Sequence, residues 1–321
     1  MNKEQKLIYK YLSPLAQNDE SLKLENDAAI INLKKKMIVS SDMMVEDTHF
    51  TKSYDPEILG KKLLRINLSD IAAMGASPYG FTLNISIPKI NHEEWLKRFC
   101  LGLKKDMKKF NLKLFGGDLS GSSKIFLSIT IFGLTKKKFH VKKNINNDSE
   151  IYLSGPVGDA GIGLILQKKN NRFKFLDKVN KNYFLNSLYY PEPEIKLGKS
   201  LIGIADFCTD VSDGLANELD FISKVSKFQS NIFLSEIPLS SQMKKILPKF
   251  KNEIEFWHQV LTSGEDYQLL FSVSKKKKFL LKKRKIKHIK KIGFFKKGEG
   301  LRIYDKNKKI FKLKKSGFSH F

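Results

Sequence analysis

The chain is poor in cysteine and arginine and short of acid. Its two cysteines, Cys100 and Cys208, are too few and too far apart for a disulfide framework or a four-ligand zinc site, which points to a reducing compartment. No stretch approaches the roughly 20 apolar residues that span a bilayer, and the opening MNKEQKLIYKYLSPLA lacks the long apolar core of a secretion signal. These absences predict a soluble, cytoplasmic protein with no membrane partner. Basic residues outnumber acidic ones by 59 to 33, a net charge of +26, so nucleic acid has to be weighed as a partner. Only five of the 59 are arginine (Arg65, Arg98, Arg172, Arg284 and Arg302), whereas bidentate recognition of phosphates and bases favours arginine. The lysine runs also lack interleaved aromatics that could stack on bases. A solvated lysine surface is the better reading and nucleic acid is disfavoured. The charge is densest in KKKKFLLKKRKIKHIKK, between Lys275 and Lys291.

What the chain does have is length and core material. At 321 residues and 41% hydrophobic it exceeds the size at which single cores stop growing, which predicts two domains. In the first half, Met37 to Val45 reads as a strand. Pro56 to Met74 has helical apolar spacing, with Pro at its start and Gly75 just past its end. A strand is expected over 81–87, an amphipathic helix over 93–110 and a strand over 125–132. The polar stretch 136–149 is the best linker in the chain, dividing residues 1–138 from 139–321. The second half restarts with a strand over 151–154 and breaks at SGPVGDAG. Helices are expected near 161–167, 194–205 and 215–226, and short strands near 232–234, 267–273, 289–294 and 301–304. Without a regular βαβ rhythm, this mixture predicts an α+β fold.

Six aspartates stand apart from the charged surface runs, embedded in small or apolar residues. Asp27 lies in ENDAAII, Asp42 in SSDMMVEDTHF, Asp70 in NLSDIAAMGA, Asp118 in FGGDLSG, and Asp210 and Asp213 bracket Ser212 in DVSDGL. Acids in such settings need partners, and hard cations are natural ones. Singly, each has a plainer explanation; Asp213 ahead of Gly214 could simply cap a helix. Gly117 and Gly158, the latter in GPVGDAG, add backbone that could approach phosphates. There is no G-x-x-x-x-G-K-[ST] and no H-R-D or D-F-G, so a nucleotide is not held by either familiar scheme.

In order and spacing NDAAI, SSDMMVEDTHF, NLSDIAAMGASP, GGDLS, SDGL and SGEDYQLLF resemble the thiamine-monophosphate kinase family across nearly the whole chain. NLSDIAAMGA alone points to the wider aminoimidazole ribonucleotide synthetase-like superfamily; VEDTHF and GEDYQLLF favour the thiamine branch. The resemblance implies a two-domain α+β fold with mixed or antiparallel sheets covered by helices. It further implies ATP-dependent phosphorylation of thiamine monophosphate, several Mg²⁺ ions, and a homodimer built on the N-terminal domains, with the C-terminal domain completing the nucleotide and substrate site. On this resemblance Asp27, Ser40, Ser41, Asp42, Asp70, Asp118, Asp210 and Asp213 fall on metal positions. Gly117, Asp118, Lys142 and Ser212 fall on nucleotide positions, and His49, Glu265 and Phe318 on substrate positions. Glu46 and Asp47 are left as solvated or loop-structuring acids.

The chemistry fits that inventory. Two phosphate-bearing reactants repel each other, so the catalyst's task is neutralisation and in-line positioning. The attacking phosphate oxygen is already ionised near neutral pH, which explains an Asp-rich sequence with no Ser-His-Asp or Cys-His arrangement and no protein nucleophile. The chain departs from the family pattern at Glu25 and Asn26, where a glycine and an acid are usual. It departs again at Lys142 and Glu194, where arginines are usual. Lys142 keeps the charge but loses the bidentate fork. Another ATP-using member of the superfamily with a different small-molecule substrate is the alternative reading, and a basic nucleic-acid-binding protein on an old fold is the third.

Overall fold

In a computed structural model the protein is described over residues 6–21, 24, 29, 31, 33–88, 92–136, 138–142, 145–168 and 171–313. It divides into two compact units, Met1–Ile71 with Ala76–Lys137, and Ala72–Gly75 with Lys138–Phe321.

The first unit is a four-stranded sheet carrying two helices. Its elements are β1 (Lys36–Val45), α1 (Pro56–Ala73, whose last two residues count with the second unit), β2 (Ser77–Ile87), α2 (His92–Phe110), β3 (Lys113–Gly121) and β4 (Phe126–Thr135). The strand order is β1-β4-β2-β3; only β2 and β3 run parallel, because α2 carries the chain back between them. Period-two burial decides the faces. In β4 Leu127, Ile129 and Ile131 point inward, and the same row takes Leu83 and Ile85 from β2. Leu63, Leu64 and Leu68 of α1 and Leu96, Phe99 and Leu103 of α2 complete this core.

The two helices approach backbone to backbone. A Cβ at Gly102 would lie 2.1 Å from the Glu57 carbonyl oxygen, and one at Gly60 2.5 Å from that of Phe99. Beside this contact the Arg65 guanidinium forks onto Asp106, Nε to Oδ2 at 2.5 Å and Nη2 to Oδ1 at 3.2 Å, joining α1 to α2 by a buried bidentate pair. So one of the few arginines serves the fold.

The second unit is a six-stranded mixed sheet in the order β10-β7-β9-β5-β8-β6. Its strands are β5 (Glu150–Leu153), β6 (Phe207–Asp210), β7 (Phe228–Phe233), β8 (Leu269–Val273), β9 (Lys290–Lys297) and β10 (Leu301–Tyr304). Its helices are α3 (Asp159–Gln167), α4 (Lys178–Tyr189), α5 (Ile195–Ser200), α6 (Leu215–Ser226), α7 (Ser241–Ile246), α8 (Glu253–Thr262) and α9 (Phe279–Lys283). One apolar cluster joins Ile162, Phe184, Leu219, Phe256 and Phe295, and another joins Leu201, Ile204, Phe271 and Leu281. Strands β5 and β8, inside the sheet, and β6, at its edge, are buried throughout. The fold class is α+β, with no helix among the described residues long and apolar enough to cross a membrane.

Part of the lysine-rich segment is used inside this unit. Glu150 Oε1 receives Lys278 Nζ at 2.9 Å and Lys291 Nζ at 2.7 Å, and Lys277 reaches Asp206 at 3.0 Å. Burial pushes the Glu150 carboxyl up, but Lys291, Tyr152 and Lys278 outweigh it and hold the group at about 2.

Two outcomes are expected. Gly102→Ala forces α1 and α2 apart and costs roughly 1–3 kcal/mol of stability in urea unfolding. Glu150 has a folded pKa of about 2 against an ordinary 4.5, so its contribution is complete above 4.5 and is lost as pH falls towards 2. Glu150→Gln should therefore flatten the acid side of the stability profile within that window.

Candidate functional site

Each unit carries its own part of the sequence-predicted residues. In the first, β1 runs through SSDMMV, so Asp42 sits inside a strand and not at its end. Ser40 faces α1, and its hydroxyl donates to Asp70 Oδ2 at 2.6 Å, so a strand and a helix 30 residues apart in sequence meet at one carboxylate. Ser41, on the other face, donates to the Ile129 carbonyl at 3.0 Å and lies against the Thr130 hydroxyl at 3.1 Å.

Asp118 also lies inside a strand. β3 pairs Gly117 with Leu83 and Asp118 with Asn84. Since Asp42 registers with Ile129 and Ile129 with Leu83, Asp42 and Asp118 occupy opposite edge strands, with β4 and β2 between them. That is three strand spacings, about 14 Å of backbone separation. Ser40 and Asp70 therefore meet, whereas Asp42 and Asp118 do not form one ligand cluster. Among the described residues no group of three or more His, Cys, Asp or Glu stands ready to hold a metal. Beside Asp118, a cavity of about 170 Å³ is lined by Gly116, Gly117, Leu83, Ile8 and Leu12. It is smaller than the roughly 300 Å³ of ordinary ligand pockets.

The turn after β1 explains the remaining acids of the opening motif. Glu46 is buried, its Oε2 accepting the Ile125 N–H at 2.8 Å, while Asp47 pairs with Lys124 at 2.8 Å. Both serve the loop, as the sequence reading held. This turn presents His49, whose Nδ1 accepts the Val45 N–H at 2.9 Å. An accepting Nδ1 puts the proton of the neutral ring on Nε2, the arrangement that can donate to an anion.

In the second unit Asp210 closes β6, and Ser212 and Asp213 follow in the turn before α6. Gly214 occupies the N-cap position of that helix, with Asp213 one residue ahead of it. Sequence reasoning missed Glu218, one turn into α6. Burial first, then Asp210 and Asp213, pushes its carboxyl up to about 7 against the pull of Lys142, and Ser212 bonds to it. Its signal was present: five residues after Asp213 on an N-terminal helical turn, an acid faces back towards the loop. Lys142 lies over the Phe221 ring at 5.4 Å. Glu194, at the start of α5, is pushed up by burial and then by Glu192.

Glu265 and the Asp210–Asp213 turn form one piece. Glu265 N donates to the Ser212 carbonyl at 2.7 Å, Tyr267 N to that of Val211 at 2.8 Å, and Val211 N to that of Gln268 at 2.9 Å. Gly264 is required here, because a Cβ on it would stand 2.2 Å from the Ser212 carbonyl oxygen. Asp27 and Phe318, and the departures at Glu25 and Asn26, lie outside the described residues.

An α+β chain with aspartates on a strand end and on sheet edges and glycine turns beside them has the fold and oxygen donors that suit a phosphate-handling enzyme. The model of the AIR synthase related protein N-terminal domain matches residues 25–135. A thiamine-monophosphate kinase of Buchnera aphidicola (from Acyrthosiphon pisum) is 37% identical, covering 99% of this chain and 98% of that protein. The one of Bacillus subtilis is 32% identical over 92% of each. The chain belongs to the thiamine-monophosphate kinase family. Among solved structures, "AaThiL complexed with AMPPCP and TMP" superposes with a TM-score of 0.77 at 27% identity, covering 99% of this chain and 96% of that one. A hydrogenase maturation protein HypE in complex with ATP has a TM-score of 0.76 at 15% identity, covers 98% and 96%, and shares the fold.

Removing the Ser40 hydroxyl tests the strand-to-helix contact. Ser40→Ala should cost roughly 1–2 kcal/mol in urea unfolding, with Ser40→Thr restoring most of it.

Proposed function

We infer that this chain transfers the terminal phosphoryl group of ATP to the phosphate of thiamine monophosphate, giving thiamine diphosphate and ADP. The observation that carries the reading is likeness to curated kinases over nearly the full length, with every quoted motif in place. AMPPCP, present in the complex of the related structure, is an ATP analogue that cannot give up its terminal phosphoryl, and it fits ATP as the phosphoryl donor.

In the first unit Gly117 and Asp118 are assigned to the nucleotide, Asp118 also to a metal at its own sheet edge, and Ser40, Ser41, Asp42 and Asp70 to metal positions around the opposite edge, with Asp27 a further metal position. His49 is assigned to the substrate, where an Nε2 proton suits a phosphate oxygen. In the second unit Lys142 and Ser212 are assigned to nucleotide, Asp210 and Asp213 to metal, and Glu265, with Phe318, to thiamine monophosphate. A carboxylate cannot bond an ionised phosphate, so Glu265 is suited to the cationic or N–H-bearing rings of thiamine.

Mg²⁺ is the metal the donors suit. They are hydroxyls and carboxylates only, and Mg²⁺ is ordinarily held by one or two carboxylates plus substrate phosphates and waters, not by an all-protein cage. Asp42 and Asp118, on opposite sheet edges, would each then leave room for phosphate oxygens and water in the coordination. When bound, Mg²⁺ neutralises phosphate charge as it builds in transfer. The chain's own residues hold and orient the two reactants; the attacking oxygen needs no proton removed, so no general base is assigned.

Two further readings accompany this one. A homodimer through the first unit is supported by the outer face of its sheet, where Met37, Val39 and Met43 of β1 and Phe126 of β4 are exposed on an edge strand and its neighbour. A cytoplasmic location is supported by the scarcity of cysteine.

The test is a coupled assay for thiamine diphosphate with and without Mg²⁺, on the wild type and on Asp42→Asn. Product should require Mg²⁺, and the variant's rate should fall by about a hundredfold, as loss of a charged ligand entails. ATP turnover that ignores thiamine monophosphate would point to a sister reaction on the same fold.

A further inference from the structure

The segment Ser263–Gln268 contains two residues in the left-handed region, Glu265 at φ 73° and Tyr267 at φ 51°, with Asp266 between them. Glu and Tyr gain nothing from that conformation, which costs of order 1 kcal/mol each, so their surroundings must impose it. On one side the grip is the backbone pairing to Val211 and Ser212 already described. On the other side it is Asp266. Its Oδ2 accepts the Gly158 N–H at 2.7 Å, and the carboxyl also takes the Ala160 N–H, so it fills the N-terminus of α3. Asp266 is 9% exposed, and the next acid along, Asp159, is bonded separately by Ser240 at 2.7 Å and Tyr183 at 2.9 Å. The Gly158 amide, which the sequence suggested for a phosphate, is therefore occupied by the protein's own carboxyl.

We propose that Asp266 is a positioning residue for the kinase reaction: by anchoring to Gly158 and Ala160 it holds the doubly left-handed turn that fixes where Glu265 meets thiamine monophosphate. The proposal rests on Glu265 being a substrate contact, as assigned above. The Asp266 carboxyl is taken up by the Gly158 N–H at the α3 N-terminus, so its part in the reaction is through Glu265 and not by contact with a reactant. A purely structural role would lower stability and leave both Michaelis constants alone; a positioning role through Glu265 moves one of them.

The experiment is steady-state kinetics, varying thiamine monophosphate and ATP separately, on the full chain carrying Asp266→Ala, Asp266→Asn, Glu265→Gln and the Asp266→Ala/Glu265→Gln pair. Asp266→Ala removes both amide hydrogen bonds and should raise KM for thiamine monophosphate by about tenfold or more, leaving KM for ATP within about twofold. Asp266→Asn keeps an acceptor of the same shape for the Gly158 N–H and should stay within about threefold of wild type on both. In the double variant KM should rise no further than in Glu265→Gln alone, the non-additivity expected of a residue acting through its neighbour. Asp266→Ser, too short to reach Gly158, replaces the alanine variant if that one does not fold. Wild-type KM for thiamine monophosphate in Asp266→Ala, or equal rises for both substrates, overturns the proposal while a strong Glu265→Gln effect leaves the reading of Glu265 standing. A Glu265→Gln variant with wild-type constants overturns both.

Discussion

The two amide hydrogen bonds that Glu265 and Tyr267 donate to Ser212 and Val211 are the constraint on which the functional surface of the second unit depends. They close a register that only Gly264 permits, since any Cβ there would strike the Ser212 carbonyl. Through them the turn bearing Asp210, Ser212 and Asp213 and the turn bearing Glu265 cannot move independently. The consequence is chemical. Phosphoryl transfer between two anions is limited by how well the reactants are held in line, and under the proposed assignment of Asp210, Ser212, Asp213 and Glu265 this pair of turns would supply part of that holding.

Charge is divided in the same economical way. A chain of net charge +26 places several lysines of its most basic stretch on its own buried acids, as at Glu150 and Asp206. The described aspartates of the motifs are kept apart from those runs, on two strands and a helix of one unit and around one turn of the other. In the first unit Asp42 and Asp118 stand on the two edges of a four-stranded sheet. Carboxylates spread in this way avoid the repulsion that a packed cluster of them would suffer.

Much of the fold was legible where periodicity was strong. The expected strand over 37–45 and helix over 56–74 are β1 and α1 to within a residue, and the helix over 215–226 is α6. Elements without a clean period escaped. β3 reads as LFGGDLSG, two glycines and an aspartate that strands ordinarily avoid, and it exists because β2 offers a parallel edge and the buried Leu114, Phe115 and Leu119 pay for it. α4, whose sequence KVNKNYFLNSLY mixes polar residues round the helix, is held by an Asp177 cap and by Phe184 and Leu188 in the core. β6 is too short at four buried residues to show alternation. In the site the motifs named the residues but not their spacing in the fold. That Asp42 and Asp118 stand on opposite edges follows from strand order, which no local pattern encodes. Asp266 and Glu218 were hidden for a related reason: each looks like a surface acid until the partner segment, α3 for one and the Asp210 turn for the other, is folded against it.

The central claim is direct transfer of phosphate from ATP to a second phosphate. Phosphorus NMR of the full-length protein with ATP, Mg²⁺ and thiamine monophosphate measures that most directly. The account predicts the coupled pair of signals of thiamine diphosphate growing in step with ADP while the thiamine monophosphate signal fades, with no inorganic phosphate accumulating. ADP and inorganic phosphate appearing together beside unchanged thiamine monophosphate would contradict it.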